Sequence, residues 1–571
     1  MIVNAIITFF FINVIGLCFV LSGQYIIQKT IRETNKLSNQ LFVSLSYFTG
    51  AILFLFVFRL SSFIISNAYI SIAFAFFTIL MLSLIILTSK NINFLKIFFF
   101  QSLSNQFFYF ALLISVSICL LFYWTDPSLL TDNVLALLGS LHSPRYVNIA
   151  NYIVDANIIP VINQNYGQSL LTASTLFLGL NAPYFTLFLW LAQSIFFLIF
   201  ITFGLFKWLG LDFKSSSLGT IIVLLGNTTF SLSRILVIDS GSPFFLNGYT
   251  DSVLSIGTFI AFFLWFYNAY IEKYNINRIP SLFLLIIFGI TWNIFAPQNI
   301  IFSIGILAFF TLKILIFDSR RKSFIMLSTI VFLLASLFGT FMGGMLTPTK
   351  LTESVEIEGL MQVKKNEKLE IGIVPQLPYF FSNGTGWSRA EPYLYERDKK
   401  YRDQYNSNSQ STLDKTILFF KMWIIFETNI WIAFRIMIIP FIGVLGLWML
   451  IFYKSKWDPP KFKKYKMFVL VNTLIIIPGF IIPFLFTLSG YKWELTRFLI
   501  PGIYMAMMSF VIFLKYFHFT KNIFIKKYFS YVVAFLLISP IIIDTIIRIG
   551  MNVKDFNKFL NFCEFILGKV Y

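Results

Sequence analysis

The feature that most limits this chain is a succession of apolar runs of membrane-spanning length. They fall near residues 3–27, 41–58, 62–88, 98–123, 183–206, 218–237, 252–271, 281–296, 299–317, 324–345, 426–453, 467–488, 498–516 and 528–548. A bilayer core is crossed by about 20 residues of helix. Its interior offers no water to backbone N–H and C=O groups, so each run must satisfy them internally. The expectation is an all-α polytopic membrane protein with about 14 transmembrane helices. The run at 281–296 is short and the run at 62–88 is long, so the count shifts by one or two with the boundaries drawn. Composition agrees. Charged residues make up 12% of the chain, about half the ~25% usual in soluble domains. The first run lacks a basic flank and a small-residue cleavage site, so it is expected to be a span rather than a leader.

The formal net charge of +19 does not point to nucleic acid, because the basic residues sit in short clusters between apolar runs. One alternating set of loops holds Lys29, Arg32 and Lys36, then Lys90 and Lys96, Lys207 and Lys214, Lys273 and Arg278, Lys313 to Lys322, Lys454 to Lys466, and Lys515 to Lys527. Apart from segment 346–425 and the tail, the other set holds only Arg59, Arg145, Lys492 and Arg497. By the positive-inside rule the first set is cytoplasmic, with anionic lipid as its partner. Both termini and two long segments then face outward.

The resulting organisation is 1–123, N-terminal transmembrane helices; 124–182, a first long extracytoplasmic loop with amphipathic juxtamembrane helices; 183–345, central transmembrane helices; 346–425, a small extracytoplasmic insert; 426–548, C-terminal transmembrane helices; and 549–571, an amphipathic tail. Within the insert, Val355, Ile357 and Leu360, and again Leu369, Ile371 and Ile373, suggest short strands. Cys18, Cys119 and Cys563 make no disulfide framework.

The spans are poor in charge, and Arg234, Arg435 and Asp544 are the clearest exceptions. Polar density gathers instead on the outer side. In 124–169, Asp126 and Asp132 each stand where a helix cap would. Ser143-Pro144 opens a helix on which Arg145, Asn148, Asn151 or Tyr152, and Asp155 form one face. Tyr146, Ile149, Ala150 and Ile153 form the other, so the helix is expected to lie on the membrane surface. His142 precedes it. The outward stretch 238–252 holds Asp239, the turn Asn247-Gly248, Tyr249, and Asp251 at the mouth of the next span. Lys492 and Arg497 are rare outward cations that suit a lipid phosphate or a headgroup anchor. Walker, dinucleotide-binding, HExxH and CxxC patterns do not occur.

Three local matches resemble the GT-C superfamily of polyprenyl-phosphate-dependent glycosyltransferases, which includes mannosyl and aminoarabinose transferases. An acid in a long outer loop, followed by His142-Ser143-Pro144-Arg145 and Asn165-Tyr166-Gly167-Gln168-Ser169, is similar to the first catalytic loop. Asn247-Gly248-Tyr249-Thr250-Asp251 resembles a motif at the start of a span. Glu494 to Pro501 resembles the entry to a late span. The chain differs in placing four runs before the loop, and in having Asp132-Asn133 where the family pairs Asp with Glu.

The resemblance implies sugar transfer from a polyprenyl-phosphate donor to a glycan, lipid or protein acceptor, at the outer face of the cell's inner membrane. Asp132 would be the catalytic base, and Asp251 a second acid or a ligand for a divalent cation. Arg497, Lys492, Arg145 and His142 would hold the donor phosphate. Asn165, Tyr166, Asn247 and Tyr249 would position the acceptor. Two other classes share the topology: a lipid-linked glycan flippase or transporter, and an envelope polysaccharide polymerase.

Overall fold

The structure, a computed structural model, describes residues 2–31, 38–88, 106–123, 143–157, 167–179, 183–225, 250–271, 277–295, 299–316, 319–342, 369–371, 411, 414, 429–454, 459–488, 499–516, 528, 531–532 and 534–535. These residues are almost all helical. The helices are α1 (Ile2–Thr30), α2 (Asn39–Ile64), α3 (Ala68–Thr88), α4 (Gln106–Tyr123), α5 (Ser143–Ala156), α6 (Gly167–Leu176), α7 (Pro183–Trp208) and α8 (Phe213–Leu225). There follow α9 (Thr250–Phe266) with a π-helical turn at Tyr267–Ile271, α10 (Arg278–Phe295), α11 (Ile300–Ile316) and α12 (Ser319–Phe341). The last are α13 (Asn429–Lys454), α14 (Pro459–Leu485) and α15 (Leu499–Tyr516), with two short strands, β1 (Leu369–Ile371) and β2 (Phe486–Leu488).

Among the described residues, six helices are long and apolar enough to cross a membrane: Ile6–Thr30, Gln40–Ile64, Ala68–Thr88, Phe185–Trp208, Val253–Tyr270 and Lys322–Phe341. Shorter apolar helices occupy most of the other expected runs. The run at 528–548 lies almost wholly outside the described residues. One boundary differs from the sequence reading. The helix expected to stop at 58 continues to Ile64, and its successor starts at Ala68 rather than 62. Arg59 is therefore a helix residue and not a loop residue. Apolar neighbours continue the helix past it, and packing covers its side chain.

Outward-facing side chains identify the solvent. α3 buries Ile72, Ala75, Ile79 and Ile86 but turns Ile70, Phe74, Phe77 and Leu84 outward. A helix apolar on every side is stable in lipid and not on a water-facing surface. Hydroxyls inside these helices return their hydrogens to the preceding turn, as Thr49 Oγ1 does to Leu45 O (2.8 Å) and Ser83 Oγ to Ile79 O (2.6 Å). This leaves few donors facing hydrocarbon.

The chain divides into two compact units. The first is Met1–Thr220, Phe245–Lys365 and Pro459–Ile475. In it α1 and α2 run antiparallel, and their backbones meet at two glycines. A Cβ on Gly23 would strike Ser46 O, and one on Gly50 would strike Phe19 O. Only glycine permits so close a helix pair. Phe19 lies 5.9 Å from Tyr47 and 5.8 Å from Trp190, centroid to centroid, which ties α7 to this pair. Gln193 of α7 accepts from Tyr47 Oη at 3.1 Å and reaches Ile12 O with Nε2 at 3.4 Å.

The second unit is Ile221–Phe244, Asn366–Asp458 and Ile476–Tyr571. Here α13 packs on α15, with Gly443 against the Phe510 backbone. β1 pairs antiparallel with β2 in the register Leu369↔Leu488, Glu370↔Thr487, Ile371↔Phe486. Of the strand expected from Leu369, Ile371 and Ile373, the part at Leu369–Ile371 is present and Ile373 lies outside the described residues. The rest of the insert apart from residues 411 and 414, the tail, Arg234 and Asp544 lie outside the described residues.

Candidate functional site

Contacts within the first unit sort its helix ends. At one end Asn277, just before α10, donates from its backbone N–H to Thr30 O (3.4 Å) and from Nδ2 to Lys29 O (2.6 Å). Trp265, late in α9, donates to Thr30 Oγ1 at 3.0 Å. Lys464, early in α14, donates to Trp208 O at 3.3 Å and lies 4.4 Å from the centre of the Trp208 ring. A cation on the last carbonyls of a helix complements its dipole. The clusters around Lys29 and Arg278 therefore share one end, and Lys207 joins Lys464. Because α2 and α7 are antiparallel, with Gly204 against Leu41 and Tyr47 against Phe197, the Trp208 end of α7 is the same end as the start of α2.

The opposite end gathers the surface helices. α5 starts at Ser143, as its Ser-Pro signature predicts, and buries Val147, Ile149, Ala150 and Ile153. Asn151 and Tyr152 are half-buried and Asp155 is exposed. Val147 packs on Leu187, near the start of α7. Asn157 ends the helix with φ of 53°, a left-handed conformation that asparagine tolerates. From there its main-chain carbonyl accepts Ala68 N (3.0 Å) and its Oδ1 accepts Tyr69 N (3.0 Å). One residue thus closes α5 and caps α3. Asn157→Ala is expected to lower stability by about 1–2 kcal/mol and Asn157→Gly by less, read as thermal unfolding of the detergent-solubilised protein.

α6 inserts beneath this layer. Every residue from Leu170 to Leu176 is buried. Thr175 Oγ1 accepts Trp190 Nε1 at 3.0 Å, holding α6 to α7. Phe177 meets Tyr69 with ring centroids 4.0 Å apart, and α6 also packs on α9. Asp251 occupies the first turn of α9 at this same end, where an acid suits the helix dipole.

A buried polar seam joins α9, α10 and α11. Trp292 Nε1 donates to Thr258 Oγ1 (3.1 Å), Asn293 Nδ2 donates to Gly289 O (2.8 Å) and Ser303 Oγ (3.0 Å), and Asn299 Nδ2 donates to Trp292 O (3.1 Å). Sequence reading passed over this seam, although asparagines bordering apolar runs are the available signal.

Of the residues singled out from sequence, Arg145 lies in the first turn of α5 and Asp251 in the first turn of α9. The fold brings their two helices to one end of the first unit. His142, Asn165 and Tyr166, Asn247 and Tyr249, and Lys492 and Arg497 lie outside the described residues, as does Asp132. Among the described residues no group of three His, Cys, Asp or Glu side chains could hold a metal. The long apolar helices define an α-helical membrane protein. Comparison with known proteins finds no family model, no curated protein and no solved structure that matches the chain.

Proposed function

We propose that the chain is a membrane glycosyltransferase that moves a sugar from a polyprenyl-phosphate donor to a glycan, lipid or protein acceptor. The basic helix ends face the cytoplasm, and the end carrying α5, α6 and the start of α9 is the extracytoplasmic, reactive face of the inner membrane. One observation carries this reading: the helices that bear Arg145 and Asp251 are assembled at the same, sparsely basic end, and α6, which Asn165 and Tyr166 immediately precede, packs between them.

In this reaction the acceptor hydroxyl attacks the anomeric carbon while the Asp132 carboxylate takes its proton. The bond from that carbon to the phosphate oxygen breaks, and the lipid phosphate leaves with the electron pair. Arg497, with Lys492, Arg145 and His142, balances the departing charge. Asp251 is the second acid or a ligand for a divalent cation. Energy stored in the donor removes the need for a nucleotide.

The test is glycan transfer in membranes by Asp132→Asn and Asp251→Asn, each at wild-type protein level. Loss of about 100-fold or more is expected for Asp132→Asn. Full activity in both variants refutes the assignment.

A further inference from the structure

The polar seam of α9, α10 and α11 leaves buried acceptors without donors. Asn293, in the last turn of α10, and Asn299, directly before α11, are 3% and 1% exposed. Each amide has one sensible orientation. Asn293 Nδ2 faces Gly289 O and Ser303 Oγ, and Asn299 Nδ2 faces Trp292 O. Turning either amide over would set its oxygen against a main-chain carbonyl, so the nitrogens are fixed and the oxygens point away. Asn293 Oδ1 and Asn299 Oδ1 then have no hydrogen-bond partner in the protein. Ser336 Oγ of α12 has none either. A Cβ on Gly289 would lie 3.2 Å from Ser336 N, so α12 passes beside the residue whose carbonyl takes Asn293 Nδ2. A buried acceptor left without a donor is costly, and three in one seam call for a common ligand.

We infer that these oxygens form a binding site for a small monovalent cation, such as sodium. The site lies inside the bundle. Phe302, in the first turn of α11, stacks on Phe259 with ring centroids 4.0 Å apart. Phe259 stands roughly 13 Å along α9 from Thr250. The asparagines therefore sit deeper than the start of α9. Polar groups where two helices end within a membrane bundle are where such proteins hold ions. Helix ends of opposite sign meet here, so the side-chain oxygens select the ligand rather than a helix dipole. Acceptor oxygens repel an anion. Calcium and magnesium call for carboxylates, and α9 to α12 contain one acid, Asp251, roughly 10 Å along α9 from Thr258. A single positive charge is what neutral oxygens can hold. The site is separate from the proposed transfer chemistry and stands without it.

The probes are sodium chloride and potassium chloride, each alone, with choline chloride at equal ionic strength as the comparison. The reading is thermal unfolding of the detergent-solubilised full chain. Sodium or potassium should raise the midpoint saturably above its value in choline chloride. At a concentration about 100 times the dissociation constant, the folded state is favoured about 100-fold more than without the ion. Asn293→Leu and Asn299→Ala should each raise the half-maximal concentration about 10-fold or more. A midpoint that is the same in all three salts overturns the proposal and assigns the oxygens to buried water. A response kept at wild-type concentrations by either variant overturns it too, by placing the ion elsewhere. So does calcium chloride at equal ionic strength if it stabilises as well as sodium or potassium, because the site would then not select a single charge. The comparison of salts is made on the wild-type chain, so it decides the matter even where a variant fails to fold.

Discussion

Gly50→Leu is expected to destroy the packing of the first unit. A Cβ at position 50 would meet the carbonyl, carbonyl carbon and Cα of Phe19. These are main-chain atoms, which no rotamer change can move. Leucine is the better helix former by somewhat under 1 kcal/mol, so local propensity favours the substitution. Overpacking of side chains alone costs about 1–3 kcal/mol, and here the obstacle is a helix axis. Packing wins, with an expected loss of about 3 kcal/mol or more. The same argument holds for Gly23, whose Cβ would meet Ser46 O and Gly50 N. The measurement is the fraction of protein that stays monodisperse after heating in detergent. Phe74→Leu, on the lipid-facing side of α3, should change it little. Wild-type behaviour of Gly50→Leu would disprove the close approach of α1 and α2.

Trp292→Ala should be nearly as damaging. Trp292 is 1% exposed, with ring centroids of Phe262 at 4.8 Å, Phe288 at 5.0 Å and Phe302 at 5.8 Å. Removing it opens a cavity where α9, α10, α11 and α12 meet, at an expected cost of about 3–5 kcal/mol. Thr258→Val separates the polar part from the packing part. It keeps the volume but leaves the indole N–H buried without its acceptor, at about 1–3 kcal/mol. Trp292→Phe removes the donor instead. The double variant Trp292→Phe/Thr258→Val should then be more stable than the sum of the single losses implies. Strict additivity in thermal unfolding would show that the 3.1 Å bond contributes nothing.

Much of the fold could be read from the sequence, because lipid leaves a chain few options. The apolar runs had to be helices, and most of them are. α5 was legible for the same reason at smaller scale, since Ser143-Pro144 starts a helix and Ile149, Ala150 and Ile153 repeat at helical spacing. Arg59 was not legible. A charge at the edge of an apolar run reads as a loop, and only tertiary cover shows that the helix continues through it. α6 was also missed as a buried element. Its Thr172, Ser174 and Thr175 look like loop residues, yet Ser174 Oγ and Thr175 Oγ1 return to Leu171 O at 2.6 and 3.1 Å. Of the candidate site, the fold gathers the helices of Arg145 and Asp251, and the other site residues singled out from sequence lie outside the described residues. Long-range packing, which no local motif encodes, decides which helix starts become neighbours.

The enclosed α6 also bears on what the bundle can tolerate. Its 10 helical residues rise about 15 Å, half of the roughly 30 Å hydrocarbon core. The segment is too short to cross a bilayer, and its hydroxyls are covered by protein rather than by lipid. It therefore depends on α5, α7 and α9 for its cover, as a plug depends on its socket, and a change that loosens those helices exposes a polar segment with no partner of its own length.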